Sequence, residues 1–403
     1  MSKRYDVVVI GSGPAGATTA RIAAEQNLRV LLVDKKQELG SPIQCSGAVS
    51  HHALEATGVF PDPEFIHEPI YGFAIYNQVG EQTTIDYRKL KPAEYGPGDE
   101  RKPLGYVVDR RRFDRYLMTQ AERAGVEVWL KTEGLGYKAK PEGDCEVYLR
   151  RFNEEITVQA KVLVGADGLQ SQVGKWAGMQ THIKLPELAS CLQFIVDQVE
   201  TSGLLEIITG HEWAPGGYAW VFPKGHGYAE VGLGVARTLT PHNAQWHVDH
   251  FIKNSFFKER FAQSKILEIQ GGGVPLAAPL KTQYADNLIL VGDAARHVNP
   301  IKHDASPVHA CLHCRDIAAC ALHRSCMHMQ AQARNNLCKL FFDVRRLQAM
   351  LCYMCELQVR VASESCSIRI VCVCCVCKLH MMCVAVSNLL TRVEALSAAM
   401  RKG

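Results

Sequence analysis

Residues 5–35, YDVVVIGSGPAGATTARIAAEQNLRVLLVDK, constrain the fold more than any other stretch. YDVVVIG (5–11) is a short β-branched run closed by glycine, as expected of a strand buried in a parallel sheet. AGATTARIAAEQ (15–26) has helical spacing and strong helix formers, and RVLLVDK (29–35) is a second buried strand. Between strand and helix, Gly11, Gly13 and Gly16 stand at G-x-G-x-x-G spacing. The first glycine permits a tight turn, the second lets backbone approach a pyrophosphate, and the third lets the helix pack on the strand. The helix N-terminus then faces the phosphate charge. Asp34 ends the second strand, 18 residues past Gly16, where a carboxylate can accept hydrogen bonds from a ribose. The stretch predicts a βαβ dinucleotide-binding unit of an α/β protein.

Further elements narrow the dinucleotide. EVYLRRFNEEITVQAKVLVGADG (146–168) reads as a strand, a turn and two further strands, and DNLILVGDAA (286–295) as a buried strand ending at Gly292-Asp293. FAD is long, so its ribityl chain and ring leave the first turn and need a second anchor. An Asp at a strand end can hold ribityl hydroxyls, although it can also cap a helix. DRRRFDRYL (109–117) adds a helix start carrying arginines. These elements together, in this order, point to FAD rather than NAD.

The order GxGxxG, acidic strand end, R-x-x-F-D, G-A-D-G and G-D-A-A resembles the FAD-dependent fold shared by aromatic hydroxylases. GSPIQCSGAVS (40–50), YAWVFPKGHGYAEVGLG (218–234), VGKWAG (173–178) and GGGVPL (271–276) are similar to geranylgeranyl reductases, above all the archaeal digeranylgeranylglycerophospholipid reductases. The resemblance runs from residue 5 to 301. It implies a Rossmann-type FAD-binding domain (1–75, 106–180 and 272–301) and an antiparallel-sheet substrate domain (76–105 and 181–271). Residues 302–403 would form a helical C-terminal region. By position, Gly11, Gly13, Ala15 and Gly16 would line the pyrophosphate, Asp34 the adenosine ribose, and Gly134 the adenine side. Arg110 would contact FAD, Asp293 would hold the ribityl chain, and Cys45, Ser46 and Ala48 would pass the flavin ring. Cys45 is the candidate catalytic residue. Its thiol could donate a proton or shield the ring, or simply fill space as a small hydrophobe.

Alternation puts Tyr218, Trp220 and Phe222 on one strand face, where they could wall a prenyl tunnel or pack as ordinary core. Lys224 and His226, at the turn, are expected to be solvated. The resemblance further implies hydride transfer from reduced flavin to C=C bonds of a prenylated lipid. An external reductant, either a reduced carrier protein or a nicotinamide or deazaflavin cofactor, would recharge the flavin. Peripheral membrane contact follows from such a substrate. The rival readings are a related FAD-dependent monooxygenase and a flavin-poor, non-catalytic remnant.

Composition enters at residue 302. Of 16 cysteines, only Cys45, Cys145 and Cys191 precede it, and every glycine except Gly403 lies at or before Gly292. Beyond residue 301 there are 13 Lys and Arg against 6 Asp and Glu, whereas the preceding part has 32 against 35. Where the family has a glycine-rich turn after GDAA, this chain has KHDASPVHACLHC, which is expected to weaken FAD binding. CLHC (311–314) and CYMC (352–355) lie too far apart, in glycine-free sequence, to resemble a zinc module. IVCVCCVCKLHMMCVAVSNLL (370–390) is long enough to span a bilayer but carries Lys378 and His380 at its middle, which favours a buried or interfacial helix. So abrupt a change fits a shifted reading frame, which re-reading the coding DNA would test. The formal net charge of +4 is too small to argue for nucleic acid. The N-terminus enters a strand directly, with no signal-peptide pattern, so a cytoplasmic location is expected.

Overall fold

The computed structural model describes residues 3–89, 102–141 and 143–297. The expectations for residues 302–403, including the helical tail, the C-x-x-C pairs and the apolar stretch 370–390, lie outside these residues. So does the segment after GDAA where the glycine turn is missing.

An eight-stranded sheet carries the fingerprint. Strand β1 (Arg4–Ile10) lies between β2 (Val30–Val33) and the long strand Glu154–Gly165, parallel to both. Strands Glu127–Trp129 and Leu288–Leu290 extend the parallel set on either side. The expected two strands within 154–168 are one. No glycine or proline interrupts residues 154–164, so the strand stays continuous and changes partners along its length. Its first half pairs antiparallel with Cys145–Arg151, and its second half pairs parallel with Leu288–Leu290.

The period-2 alternation of β1 decides the layers. Val7 and Val9 pack under helices α1 (Pro14–Glu25) and Arg110–Arg123, in a core with Ala17, Ala20, Phe113 and Leu117. Val8 and Ile10 face the opposite way, onto Val147, Leu149 and Val158 of the antiparallel strands.

A second, seven-stranded sheet has the order Ile266–Pro275, Leu188–Val196, Ala229–Ala236, Tyr218–Pro223, Leu205–Thr209, Gly72–Tyr76, Gln82–Asp86. One face carries Phe194, Ala219, Val221, Val231 and Leu233, covered by helix Ala244–Asn254 through Val248 and Phe251. The other face carries Trp220 and Phe222, which pack with Ile70 and Val107 of a small sheet formed by Ala48–Ser50, Gly105–Val108 and Ile66–Ile70. The aromatic wall therefore looks towards the segment expected to pass the flavin.

Candidate active site

The fingerprint has the geometry its glycines require. Gly11 has φ +111°, and a Cβ there would run into the Ala166 carbonyl oxygen. A Cβ on Gly16 would run into the Gly11 carbonyl oxygen, whereas one on Gly13 would meet nothing within 4 Å. Two glycines thus close the strand–helix junction, and the middle one leaves room beside the α1 N-terminus. Asp34 is buried at the end of β2 and clamps this turn. Its Oδ2 accepts from Ser12 N (2.7 Å) and Ser12 Oγ (2.5 Å), and its Oδ1 accepts from Lys36 N (2.8 Å). Ser12, which sequence reasoning passed over, is thereby fixed between the glycines.

The second anchor meets the first directly. Gly292 has φ +62°, and a Cβ there would lie 2.7 Å from Ala15 Cβ. Asp293 follows in the single helical turn Gly292–Ala295, so it stands against the start of α1. The Gly165 carbonyl accepts from Val291 N at 2.9 Å and holds this turn to the parallel sheet. Asp167 of GADG is a structural cap: it accepts from Ser171 Oγ (2.5 Å), Gln172 N (2.7 Å) and Val173 N (3.1 Å). Gly134 is also explained by packing, since a Cβ would fall 2.7 Å from Ile10 Cδ1 and 2.9 Å from the Trp176 ring.

The segment 40–48 lies along the start of helix Arg110–Arg123. Gly40 has φ +74°, and a Cβ there would fall 2.8 Å from the Arg111 carbonyl oxygen. A Cβ on Gly47, at φ +78°, would fall 2.5 Å from the Val108 carbonyl oxygen. Cys45 is half-buried, and its Sγ accepts from Gly47 N at 3.5 Å. Arg110 donates from Nη2 to Asp114 Oδ1 at 3.0 Å, one helical turn on, and Cys45 lies near enough to favour its charge. Burial disfavours the guanidinium charge, but Asp114 and then Cys45 outweigh it and hold Arg110 charged. Ser46 and Ala48 follow Cys45 into the strand Ala48–Ser50.

Cross-strand register defines the facing sheet surface. Trp220 opposes Gly232, Phe222 opposes Glu230, and Cys191 opposes Gly234. A Cβ on Gly232 would lie 2.6 Å from the Trp220 ring, so the glycine leaves the room the indole occupies. On the same surface, a Cβ on Gly272 would lie 3.2 Å from Gln44 Cβ, next to Cys45. Burial, and then the nearby Cys45, push the Cys191 thiol up to about 12. Trp220 is 8% exposed and Phe222 6%, so both are packed surfaces; Tyr218 is half-buried.

His226 is exposed, as expected of the turn, whereas Lys224 is not. Its side chain is 10% exposed, and Nζ forms an ion pair with Glu230 Oε2 at 3.1 Å. Glu230 is fully buried, and its Oε1 accepts from Trp220 Nε1 at 3.3 Å. Burial pushes its carboxyl up to about 7, against the opposing pull of Lys224, Trp220 and Arg110. The tight turn 224–228 folds Lys224 back over the strand that carries Glu230, an arrangement that KGHGYAE signals only through its glycines.

Two family models match the chain: an FAD binding domain over residues 6–58 and a geranylgeranyl reductase catalytic domain over residues 187–274. The chain is 38% identical over 299 residues to the digeranylgeranylglycerophospholipid reductase of Methanothrix thermoacetophila, covering 74% of this chain and 73% of that protein. The chain belongs to the geranylgeranyl reductase family. The reductase of the same name from Methanocaldococcus jannaschii is 35% identical over 300 residues, covering 74% of this chain and 72% of its own. A crystal structure of a geranylgeranyl bacteriochlorophyll reductase-like protein from Thermoplasma acidophilum superimposes with a TM-score of 0.75 at 28% identity, covering 87% of each chain. The reductase catalytic domain thus falls on the sheet that bears the aromatic wall, and the FAD domain on the glycine cradle.

Proposed function

We propose that the protein is an FAD-dependent oxidoreductase that saturates C=C bonds of geranylgeranyl chains on glycerophospholipids. The observation that carries this reading is the opposition of two surfaces: the cradle with its flanking segment 40–48, and the aromatic face of the catalytic-domain sheet.

The residues present fit FAD. The open space at Gly13 and the closed junction at Gly11 and Gly16 suit a pyrophosphate at the α1 N-terminus, with Ala15 beside it. Asp34, with Ser12, would take the adenosine ribose, Gly134 the adenine side and Asp293 the ribityl chain. Arg110, Cys45, Ser46 and Ala48 would lie along the ring. When bound and reduced, FAD supplies a hydride to one carbon of the double bond. An isolated alkene has no carbonyl to polarise, so the protein's contribution is orientation and water exclusion. Trp220 and Phe222, anchored in the sheet, serve both ends, and Tyr218 extends the wall. The Cys45 thiol would shield the ring. The division into an FAD-binding part (1–75, 106–180, 272–301) and a substrate part (76–105, 181–271) belongs to the same proposal.

A membrane lipid substrate implies peripheral contact with a bilayer. Among the described residues no helix is long and apolar enough to cross one. The reductant is a carrier protein or a nicotinamide or deazaflavin cofactor that docks transiently.

The test begins with FAD titration of the purified chain. Dithionite-reduced protein is then incubated without oxygen with a digeranylgeranyl glycerophospholipid, and the products are weighed. The proposal expects gains of about 2 Da per double bond. A protein that takes up no FAD, or a reduced flavoprotein that leaves the lipid mass unchanged, refutes it.

A further inference from the structure

Alkene reduction needs a proton as well as a hydride, and the buried hairpin 218–236 holds an ionisable carboxyl that the reading so far leaves unused. We infer that Glu230 holds the proton delivered to the second alkene carbon, with Lys224 as its charge partner. This inference rests on the proposed reductase function.

Three independent observations support it. Register places Glu230 opposite Phe222, on the same sheet face as Trp220, and Trp220 Nε1 donates to its Oε1 at 3.3 Å. The carboxyl is therefore built into the aromatic wall itself. Next, the Arg110 charge favours the ionised form of Glu230 and is itself favoured by Cys45, so this carboxyl lies in the electrostatic reach of the segment 40–48 proposed to pass the flavin. Finally, the group is fully buried yet meets a partly accessible cation: Lys224 Nζ lies 3.1 Å from Oε2. Another buried carboxylate of this sheet contrasts with it. Glu206 is held in two-point contact by Arg260 at 2.6 and 3.0 Å, which commits it to structure.

The charged groups that bear on Glu230 are Lys224, from its own hairpin, and Arg110, from the facing helix. The Lys224 turn lies against His67 and Glu68 of the small sheet, and His67 in turn lies 3.9 Å from Asp109. That side leads outward, since His67 and Asp109 side chains are about one-third exposed. Neither cation neutralises the cost of burying a carboxylate, so the proton is retained close to neutral pH.

The step balances. As hydride forms a C–H bond at one carbon, the π pair of the double bond takes the Glu230 proton to form the second C–H bond. The flavin is oxidised, the alkene is reduced, and Glu230 is left as a carboxylate beside Lys224. It regains its proton from solvent on the Lys224 side.

The test uses the full-length, FAD-loaded protein as wild type, Glu230→Gln, Lys224→Met and Cys45→Ser. Infrared titration should show a protonated-carboxyl C=O band that bleaches around pH 7 in the wild type and is missing in Glu230→Gln. Removing the lysine should move the bleaching midpoint to higher pH. In anaerobic single turnover with the digeranylgeranyl lipid, Glu230→Gln should still be reduced by dithionite. Its alkene reduction should slow by about 10²-fold or more and lose the pH dependence seen in the wild type. Cys45→Ser should keep the wild-type pH midpoint. A Glu230→Gln protein within threefold of wild type and with the same pH profile overturns the inference. So does transfer of the pH dependence to Cys45, or the absence of the band. A wild type that shows the band but leaves the lipid untouched overturns the reductase reading instead, and with it any use of this proton in that reaction.

Discussion

Replacing Gly292 with alanine tests whether the two cofactor-anchoring turns depend on each other. Two penalties can be read from the structure. Gly292 has φ +62°, a left-handed conformation that disfavours any Cβ by about 1–2 kcal/mol. The new methyl would also lie 2.7 Å from Ala15 Cβ, a rigid atom at the start of α1, which adds an overpacking cost of about 1–3 kcal/mol. The expected total is about 2–5 kcal/mol, with weakened FAD binding because both turns must move apart. Ala15→Gly removes the obstructing methyl and by itself costs about 1 kcal/mol or less in the first helical turn. The double variant should therefore recover the crowding part, giving a coupling of about 1–3 kcal/mol, while the backbone part persists. Urea unfolding of the four proteins, followed by circular dichroism, measures the cycle, and flavin-fluorescence quenching measures FAD affinity alongside. Additivity within about 0.5 kcal/mol would show that the turns do not share this contact and would refute the reasoning.

Other outcomes follow from neighbouring parts of the fold. Gly16→Ala should abolish FAD uptake, since its methyl meets the Gly11 carbonyl oxygen; a titration showing unchanged affinity would contradict this. Arg260→Leu strands the buried Glu206 carboxylate and should cost about 3–5 kcal/mol in urea unfolding, with partial recovery when Glu206→Gln is added. Burial raises the Glu230 carboxyl from 4.5 to about 7, so between these values the folded chain keeps a proton that the unfolded chain has lost. Stability should then fall by about 3 kcal/mol as pH rises through that window and level off above it. Glu230→Gln should lack this fall when the two proteins are compared at pH 4.5 and 8. Burial, then Asp144, push the Cys145 thiol up to about 12, so this fully buried group should resist iodoacetamide at pH 8 until urea exposes it.

The cradle was legible in the sequence because its determinants are local. Gly11, Gly13, Gly16 and Asp34 lie within one βαβ unit, and steric necessity at a strand–helix junction leaves little choice of residue. The alternating faces of residues 218–222 were legible for the same reason, since strand period alone sets them. What escaped was decided across strands. Nothing near Lys224 shows that the turn 224–228 folds it onto a carboxylate opposite Phe222. Asp34 was read as a ribose ligand, but its capture of Ser12 depends on how β1 and β2 align. The single long strand at 154–165 was read as two because its change of partner leaves no mark in its own residues.

That strand also fixes an order of assembly. Its parallel half takes Leu288–Leu290 as its second neighbour, and Asp293 stands just beyond that strand, the last among the described residues. The two halves of the cofactor cradle, at Gly11 and Gly292, are thus separated by most of the described chain. At roughly 5–20 residues per second, a ribosome needs on the order of 15–60 s to travel from one to the other. During that interval the nascent fingerprint has its glycine turn but not its second wall. Cofactor capture is therefore a late event in synthesis, and nascent chains released before residue 293 would carry the dinucleotide motif without the means to close around FAD.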